Sequence, residues 1–381
     1  MNSRNLEPAI GDVASRDEEA TLVRAVVGFV LVWLVLWTAL PLLGGAEIPS
    51  DNLEELGWAT HLEWGYAKHP PLPTWLIYAC TLGRTFPATV AMTYALGALQ
   101  VAMMLYAAWL IGRKLLGARD ACVAVLLITC ITFYTNRMHF FNHNTALLVA
   151  TAGAVYCLWN AVQTNQLRWW LALGACWGIG MLSKYQMVVT IACNLAYLCT
   201  QRPANVAATL RRLMLAGAVS IALCVPHLLW AFTHGSPTAH YALKYVGAEQ
   251  SLGARLSRML SFDADQVARV APALALLFAW RRPSRPDGSL AGALDYRVRR
   301  ARVRLFLAIH AWGPLVIMNS LGLLIGLQLG MHWGTAFLWL LPLWYVATPT
   351  GQRSMRVPAS LLLTGTALIQ ALMVLVFLLT Q

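Results

Sequence analysis

The chain has 381 residues, of which 59% are hydrophobic and only 12% are Asp, Glu, Lys or Arg. Soluble domains carry about 25% charged residues. This composition therefore excludes a soluble globular enzyme, and the recurring long apolar runs describe an all-α, polytopic helical membrane protein. The net charge of +12 comes from basic residues gathered in short loops, which is a topology signal and a contact for anionic lipid, with no nucleic-acid partner implied.

Taken in chain order, the apolar runs predict about eleven spans, near 22–43, 88–111, 119–136, 143–161, 168–183, 185–200, 209–233, 266–280, 305–328, 333–348 and 359–379. Residues 1–21 read as a cytoplasmic tail, and 22–380 as a single transmembrane domain. Asp12, Asp17, Glu18 and Glu19 precede the first run. A secretory signal opens with basic residues instead, so 22–43 reads as a retained anchor. Arg113, Lys114, Arg119, Arg168, Arg202, Arg211, Arg212, the Arg-rich run 281–304, Arg353 and Arg356 all fall on one side. By the positive-inside rule that side is cytoplasmic, with the N-terminus inside and the C-terminus outside. Loops 44–87 and 234–265 are then external, and 281–304 is a basic, Pro- and Gly-punctuated cytoplasmic connector. The eight cysteines lie in or beside apolar runs without metal-ligand spacing, and read as small packing residues.

The first external loop concentrates the ionisable groups that the rest of the chain lacks. In SDNLEELGWATHLEWGYAKHPPLPTW (50–75), Ser50 or Asp51 can cap a short amphipathic helix running to about Tyr66, before Pro70 and Pro71 stop it. Asp51, Glu54, Glu55 and Trp58 then share one face. Three close carboxylates favour a shared proton, a bound cation or a basic ligand. The same pattern also suits the solvated face of an interfacial helix, with Trp58, Leu62, Trp64 and Tyr66 among headgroups. Lys68 can neutralise a leaving phosphate or snorkel to headgroups, and spacing alone does not choose between them. Histidines gather on the same side: His61, His69, His139, His143, His234, His240 and His332 map to external loops or span ends, with His227 nearby and only His310 toward the cytoplasm.

Four segments in order carry a resemblance. HLEWGYAKHPPLPTWL with the acidic segment before it, GIGMLSKYQMVV (178–189), VPHLLWAFTHGSP (225–237) and MHWGTAFLWLLP (331–342) resemble the family 39-like, GT-C-fold glycosyltransferases. These are related to protein O-mannosyltransferases and to the lipid A aminoarabinose transferase. The resemblance implies a polytopic enzyme of the cell inner membrane that moves a sugar from a polyprenyl-phosphate donor to an acceptor hydroxyl on the periplasmic face. The acceptor would be a lipid, a glycan or a protein, and the reaction an inverting displacement. Carried over, Asp51 is the general base, with Glu54 and Glu55 as alternates because Asn52 stands where many relatives have Glu. Lys68, His69, Lys184, Tyr185, Arg255 and Arg258 are candidates for the donor phosphate. His143, Asn144, Trp58, His332 and Trp333 are candidates for substrate contact. Tyr241 and Tyr245 are further aromatic groups able to stack on a sugar. Relatives often carry an acid where this chain has His143 and Asn144, which leaves a divalent metal ion open. Two other classes compete. One is a transporter or flippase of envelope glycolipid precursors, disfavoured by span interiors with almost no charge. The other is an inactive scaffold relative.

Overall fold

The computed structural model describes residues 10–84, 86, 88–202, 205–247, 251–280, 294–349 and 357–380. Among these residues the secondary structure is helical, with no β-strand. The helices are α1 (Ile10–Leu43), α2 (Ser50–Trp58), α3 (Leu72–Thr81), α4 (Thr89–Leu115), α5 (Ala118–Thr129), α6 (His143–Thr164) and α7 (Leu167–Ser183). They continue with α8 (Met187–Cys199), α9 (Val206–Thr233), α10 (Pro237–Leu243), α11 (Leu252–Ala279), α12 (Leu294–Ile325), α13 (Leu340–Ala347) and α14 (Ala359–Leu379). The chain is a multi-pass helical membrane protein. Among the described residues, six stretches are long and apolar enough to cross a bilayer: Asp17–Leu43, Thr89–Leu115, His143–Thr164, Val206–Thr233, Val298–Ile325 and Ala359–Leu379.

The remaining expected spans are shorter or more polar helices. α5 leaves the helix at Cys130, and α13 has only eight residues. α11 extends to Leu252, well ahead of the expected start at 266, and carries Arg255, Arg258, Asp263, Asp265 and Arg269. α1 reaches back to Ile10, into what reads as a tail. Most of the basic connector, 281–293, lies outside the described residues.

Helix α2 is shorter than its amphipathic pattern suggests. It ends at Trp58, and Pro49 rather than Ser50 or Asp51 holds the position before its first residue. Beyond it the chain folds back through Tyr66, whose ring stacks on Trp58 at 5.4 Å and whose hydroxyl donates to the His61 carbonyl at 2.8 Å. Pro71 and Pro73 then start α3, where a missing N–H costs nothing. A side chain at Gly65 would run into the Trp230 ring and the His227 imidazole, so its absence lets this loop rest directly on α9.

Buried polar side chains tie the spans together where hydrophobic attraction cannot. Trp33 and Trp37 of α1 both donate to Gln370 Oε1 of α14, at 3.1 and 3.0 Å, while Gln370 Nε2 donates to the Thr129 carbonyl at 2.7 Å. Small residues bring other pairs close. At Gly174 of α7 the Ala216 backbone of α9 fills the space that a Cβ would need.

Candidate active site

Asn52, fully buried, anchors α2. Its amide donates to Thr93 Oγ1 (2.8 Å) and the His139 carbonyl (2.9 Å), and its oxygen accepts from the Phe141 N–H (3.0 Å). Asn52 is thus a rivet between the first loop, α4 and the segment before α6. With Asn52 pointing inward, the neighbouring acids part company. Asp51 and Glu54 face a cavity of about 370 Å³, whereas Glu55 turns under the helix and is only 2% exposed. Thr74 Oγ1 donates to Glu55 Oε2 at 2.6 Å. Burial pushes the Glu55 carboxyl up to about 8, with Glu54 and Asp51 adding to the rise and the Thr74 bond opposing it. It is a neutral acid at pH 7, away from the cavity.

Asp51 is oriented by a residue that the sequence reading passed over. Asn142 caps α6: its Oδ1 accepts from the N–H groups of Asn144 (2.8 Å) and Thr145 (3.2 Å), and Thr145 Oγ1 returns a bond to the Asn142 N–H. The cap dictates which way the amide faces, so Nδ2 is left to donate to Asp51 Oδ2 at 2.7 Å. The signal was present as Asn-His-Asn-Thr, a capping box just ahead of an apolar run. What the box turns toward is not local information.

The cations are held in two different ways. Lys68 pairs with Glu54 at 2.5 Å at the cavity rim, its side chain 43% exposed. Lys184 sits at the break between α7 and α8 with an extended backbone. Its Nζ donates to Asn144 Oδ1 at 2.6 Å and lies 5.1 Å from the Trp333 ring centre, with no carboxylate partner among the described residues. Burial lowers its pKa to about 7, and the Asp51 charge only partly opposes that. With Asn144 Oδ1 committed to the ammonium, its Nδ2 faces His143 Nε2 at 3.1 Å, which makes that nitrogen the acceptor.

An aromatic wall completes the cavity. His69 stacks on His143 at 3.6 Å and meets Tyr241 edge-on at 5.6 Å; the Tyr241 and Tyr245 hydroxyls share a hydrogen bond of 2.9 Å; Tyr245 meets Trp333 at 5.9 Å. Burial, followed by the Lys184 charge, holds His69 down to about 3, so it is neutral, and the neighbouring Lys184 and Arg137 charges also lower His332. Tyr185 donates to His227 Nε2 at 2.8 Å, because His227 Nδ1 must itself donate to the Trp64 carbonyl at 2.7 Å. Gln186 Nε2 donates to the Trp333 carbonyl at 2.9 Å, while its Oε1 has no partner among the described residues.

Of the residues singled out from sequence, Asp51, Glu54, Lys68, His69, His143, Lys184, Tyr185, His332 and Trp333 converge on this cavity. Trp58 lies behind it, edge-on to His69 at 6.2 Å, and Asn144 holds Lys184 from the second row. Arg255 and Arg258 do not line it. Arg255 donates to the Leu323 and Leu324 carbonyls at the end of α12, and Arg258 is exposed on the same helix. Nor does the second-loop position form a metal cage. His143 is ring-stacked on His69, the Asn144 oxygen is taken by an ammonium, and among the described residues no three His, Cys, Asp or Glu side chains converge. The donor set fits an organic anion, not a divalent ion.

Residues 68–230 match the dolichyl-phosphate-mannose-protein mannosyltransferase family. The chain is 23% identical to the lipid A galacturonosyltransferase RgtD of Rhizobium johnstonii over 66% of this chain and 52% of that one. It is 26% identical to the lipopolysaccharide core galacturonosyltransferase RgtA of the same organism over 56% and 43%. The chain thus spans about half the length of these relatives. Among solved structures it resembles ArnT from Cupriavidus metallidurans bound to undecaprenyl phosphate, with a TM-score of 0.60 and 13% identity over 91% of this chain and 63% of that one.

Proposed function

We propose that this chain, a membrane protein of the GT-C glycosyltransferase fold and family, transfers a sugar from a polyprenyl-phosphate donor to an acceptor hydroxyl, with Asp51 as general base. One observation carries the reading: the Asp51 carboxylate and the unpaired Lys184 ammonium face a single cavity. A half-buried ammonium without a counter-ion is held at a cost that an arriving anion relieves, and in this reading the donor phosphate is that anion. The undecaprenyl phosphate bound to the structurally similar ArnT and the glycolipid acceptors of the galacturonosyltransferases support the same assignment.

In the proposed reaction the acceptor oxygen attacks the anomeric carbon while its proton passes to Asp51. The bond from that carbon to the phosphate oxygen breaks, and the electron pair leaves with the phosphate. Asn142 holds Asp51 in place, and Lys184 meets the charge that grows on the leaving group. Lys68, the more exposed member of its pair with Glu54, assists by exchanging that partner for the phosphate, a small loss because rim pairs of this kind contribute about 0–1 kcal/mol. The His69–Tyr241–Tyr245–Trp333 wall offers faces for the sugar or the first isoprene units. Glu54 serves as Lys68's resting partner, and Glu55 as a neutral structural acid. The site lies on the periplasmic face of an inner membrane, the side to which the positive-inside rule assigns the first loop.

The test is mass spectrometry of envelope glycolipids and glycans from a deletion strain complemented with wild type or Asp51→Asn. A sugar mass restored by wild type and not by the membrane-inserted variant is expected. Restoration by both removes Asp51 from the role of base.

A further inference from the structure

A small recess of about 30 Å³ abuts the cavity. His332 lines both, and Asn142 and Asn144, which also line the recess, are the residues that hold Asp51 and Lys184. Arg137, from the segment between α5 and α6, lines the recess too. Its guanidinium lies over the Phe140 ring at 5.2 Å, half-buried, with no hydrogen bond or ion pair from its five N–H donors among the described residues. Asp51 is near enough for its charge to be felt at Arg137 but is not an ion-pair partner, being held by Asn142. A second guanidinium, Arg269, also acts on Arg137 and sits 4.9 Å from the ring of Phe133, another wall of the recess. Arg269 has already committed the adjacent acid, Asp265, at 2.8 Å. With Asp265 and Asp51 both held by other partners, the N–H donors of Arg137 are left unspent within reach of Asp51. A rigid planar fork in that state matches a carboxylate or a phosphate.

We propose that Arg137 binds an anionic substituent of the acceptor, a phosphate or a carboxylate, and thereby holds the attacked hydroxyl beside Asp51. The inference rests on the reading of the Asp51 cavity as the transfer site, and goes beyond it by giving the acceptor a required charge. The recess is too small for a sugar ring, so only the anionic group is presented to Arg137 while the rest of the acceptor stays outside. Because the recess is separate from the space that Lys184 faces, donor and acceptor anions do not compete.

The experiment measures binding to the purified full chain in detergent by four probes. These are bisphosphorylated lipid A, the same lipid stripped of phosphate, a phosphate-stripped glycolipid that keeps a sugar carboxylate, and phosphatidylglycerol. Undecaprenyl phosphate is run beside them. Wild type is expected to bind at least one of the two anionic glycolipids about tenfold or more tightly than the stripped lipid, and the preferred one identifies the anion. Arg137→Gln brings that ratio below threefold, Arg137→Lys keeps most of it, and both retain wild-type affinity for undecaprenyl phosphate, which shows that they are folded. Equal binding of charged and stripped glycolipids by wild type, an unchanged ratio in Arg137→Gln, or equal competition by phosphatidylglycerol each overturns the proposal. Lys184→Gln separates the two readings. It is expected to lose undecaprenyl phosphate and keep the glycolipid preference, and retention of undecaprenyl phosphate overturns the donor assignment alone.

Discussion

Among the described residues, two cavities of similar size have opposite character. One, of about 400 Å³, is a groove between α11, α12 and α13, walled by Val267, Val270, Leu277, Trp312, Leu341 and similar side chains. Its single acid, Asp263, has both oxygens engaged by the Asn319 amide, at 2.9 and 3.1 Å. The other, of about 370 Å³, presents Asp51, a rim ion pair and an unpaired ammonium. The larger cavity is the quieter one. Volume says where a chain of apolar atoms fits, whereas chemistry needs charge not already spent on a neighbour.

The same substitution made in each cavity gives the sharpest test. Asp51→Asn is expected to lower transfer by about a thousandfold, within the range for losing a general base. Asp263→Asn should change it by less than about threefold (under ~0.7 kcal/mol), because an amide can still bond Asn319 and no reacting atom is near. A comparable loss in both would erase the distinction between the cavities. Next in size, Lys184→Gln should lower transfer by about a hundredfold, as expected for removing one stabiliser of a developing anion.

Asn52→Ala probes the rivet rather than the chemistry. Three buried hydrogen bonds are cut and their partners left unsatisfied, so a loss of about 2 kcal/mol or more is expected in thermal unfolding. Asn52→Asp should also destabilise. The site supplies the Phe141 N–H donor for one oxygen, but Thr93 and the His139 carbonyl face the other.

The pH dependence separates two buried groups of opposite sign. A group whose folded pKa is depressed to about 7, as for Lys184, must be reprotonated to receive an anion at higher pH. Affinity for a polyprenyl phosphodiester, whose own charge is constant above pH 6, should therefore fall by up to about tenfold per unit above pH 7. Lys184→Arg should flatten that fall. Glu55 runs the other way. Its folded pKa of about 8 lies above the unfolded value of 4.5, so its contribution to stability is full below about 4.5 and lost as pH rises to 8. Glu55→Gln, a neutral mimic, should keep transfer within about threefold of wild type and remove that alkaline loss of stability, read by melting temperature against pH.

Much of this site was legible because ionisable groups are scarce in an apolar chain. Asp51, Lys68, Lys184, His143 and His332 stood out for that reason, and the ordered motifs gave them a common reaction. Helical spacing placed Asp51, Glu54 and Glu55 on one face, but it says nothing about where α3 lies. Thr74 takes Glu55 out of the group. Arg255 was misplaced because its helix begins at Leu252 and turns the side chain onto the end of α12. Arg137 and Asn142 were missed for the converse reason. Each looks ordinary in its own segment and acquires a role only from groups on distant ones. Helix α2 stops at Trp58 because Tyr66 returns to stack on it, a contact that no periodicity encodes.

The break at Lys184 also sets a depth. Helix α7 has 17 residues and α8 has 13, about 26 and 20 Å at 1.5 Å per residue. Both fall short of a hydrocarbon layer about 30 Å thick. On the topology expected from the positive-inside rule, a hairpin of two such helices that starts at the cytoplasmic headgroups ends short of the far ones. A lipid phosphate that meets Lys184 must sink below its neighbours, or the bilayer must thin to bring them down. Under the proposed reading, the donor is then selected partly by the willingness of a long, flexible isoprenoid tail to follow, which shorter-chained, close-packed phospholipids lack.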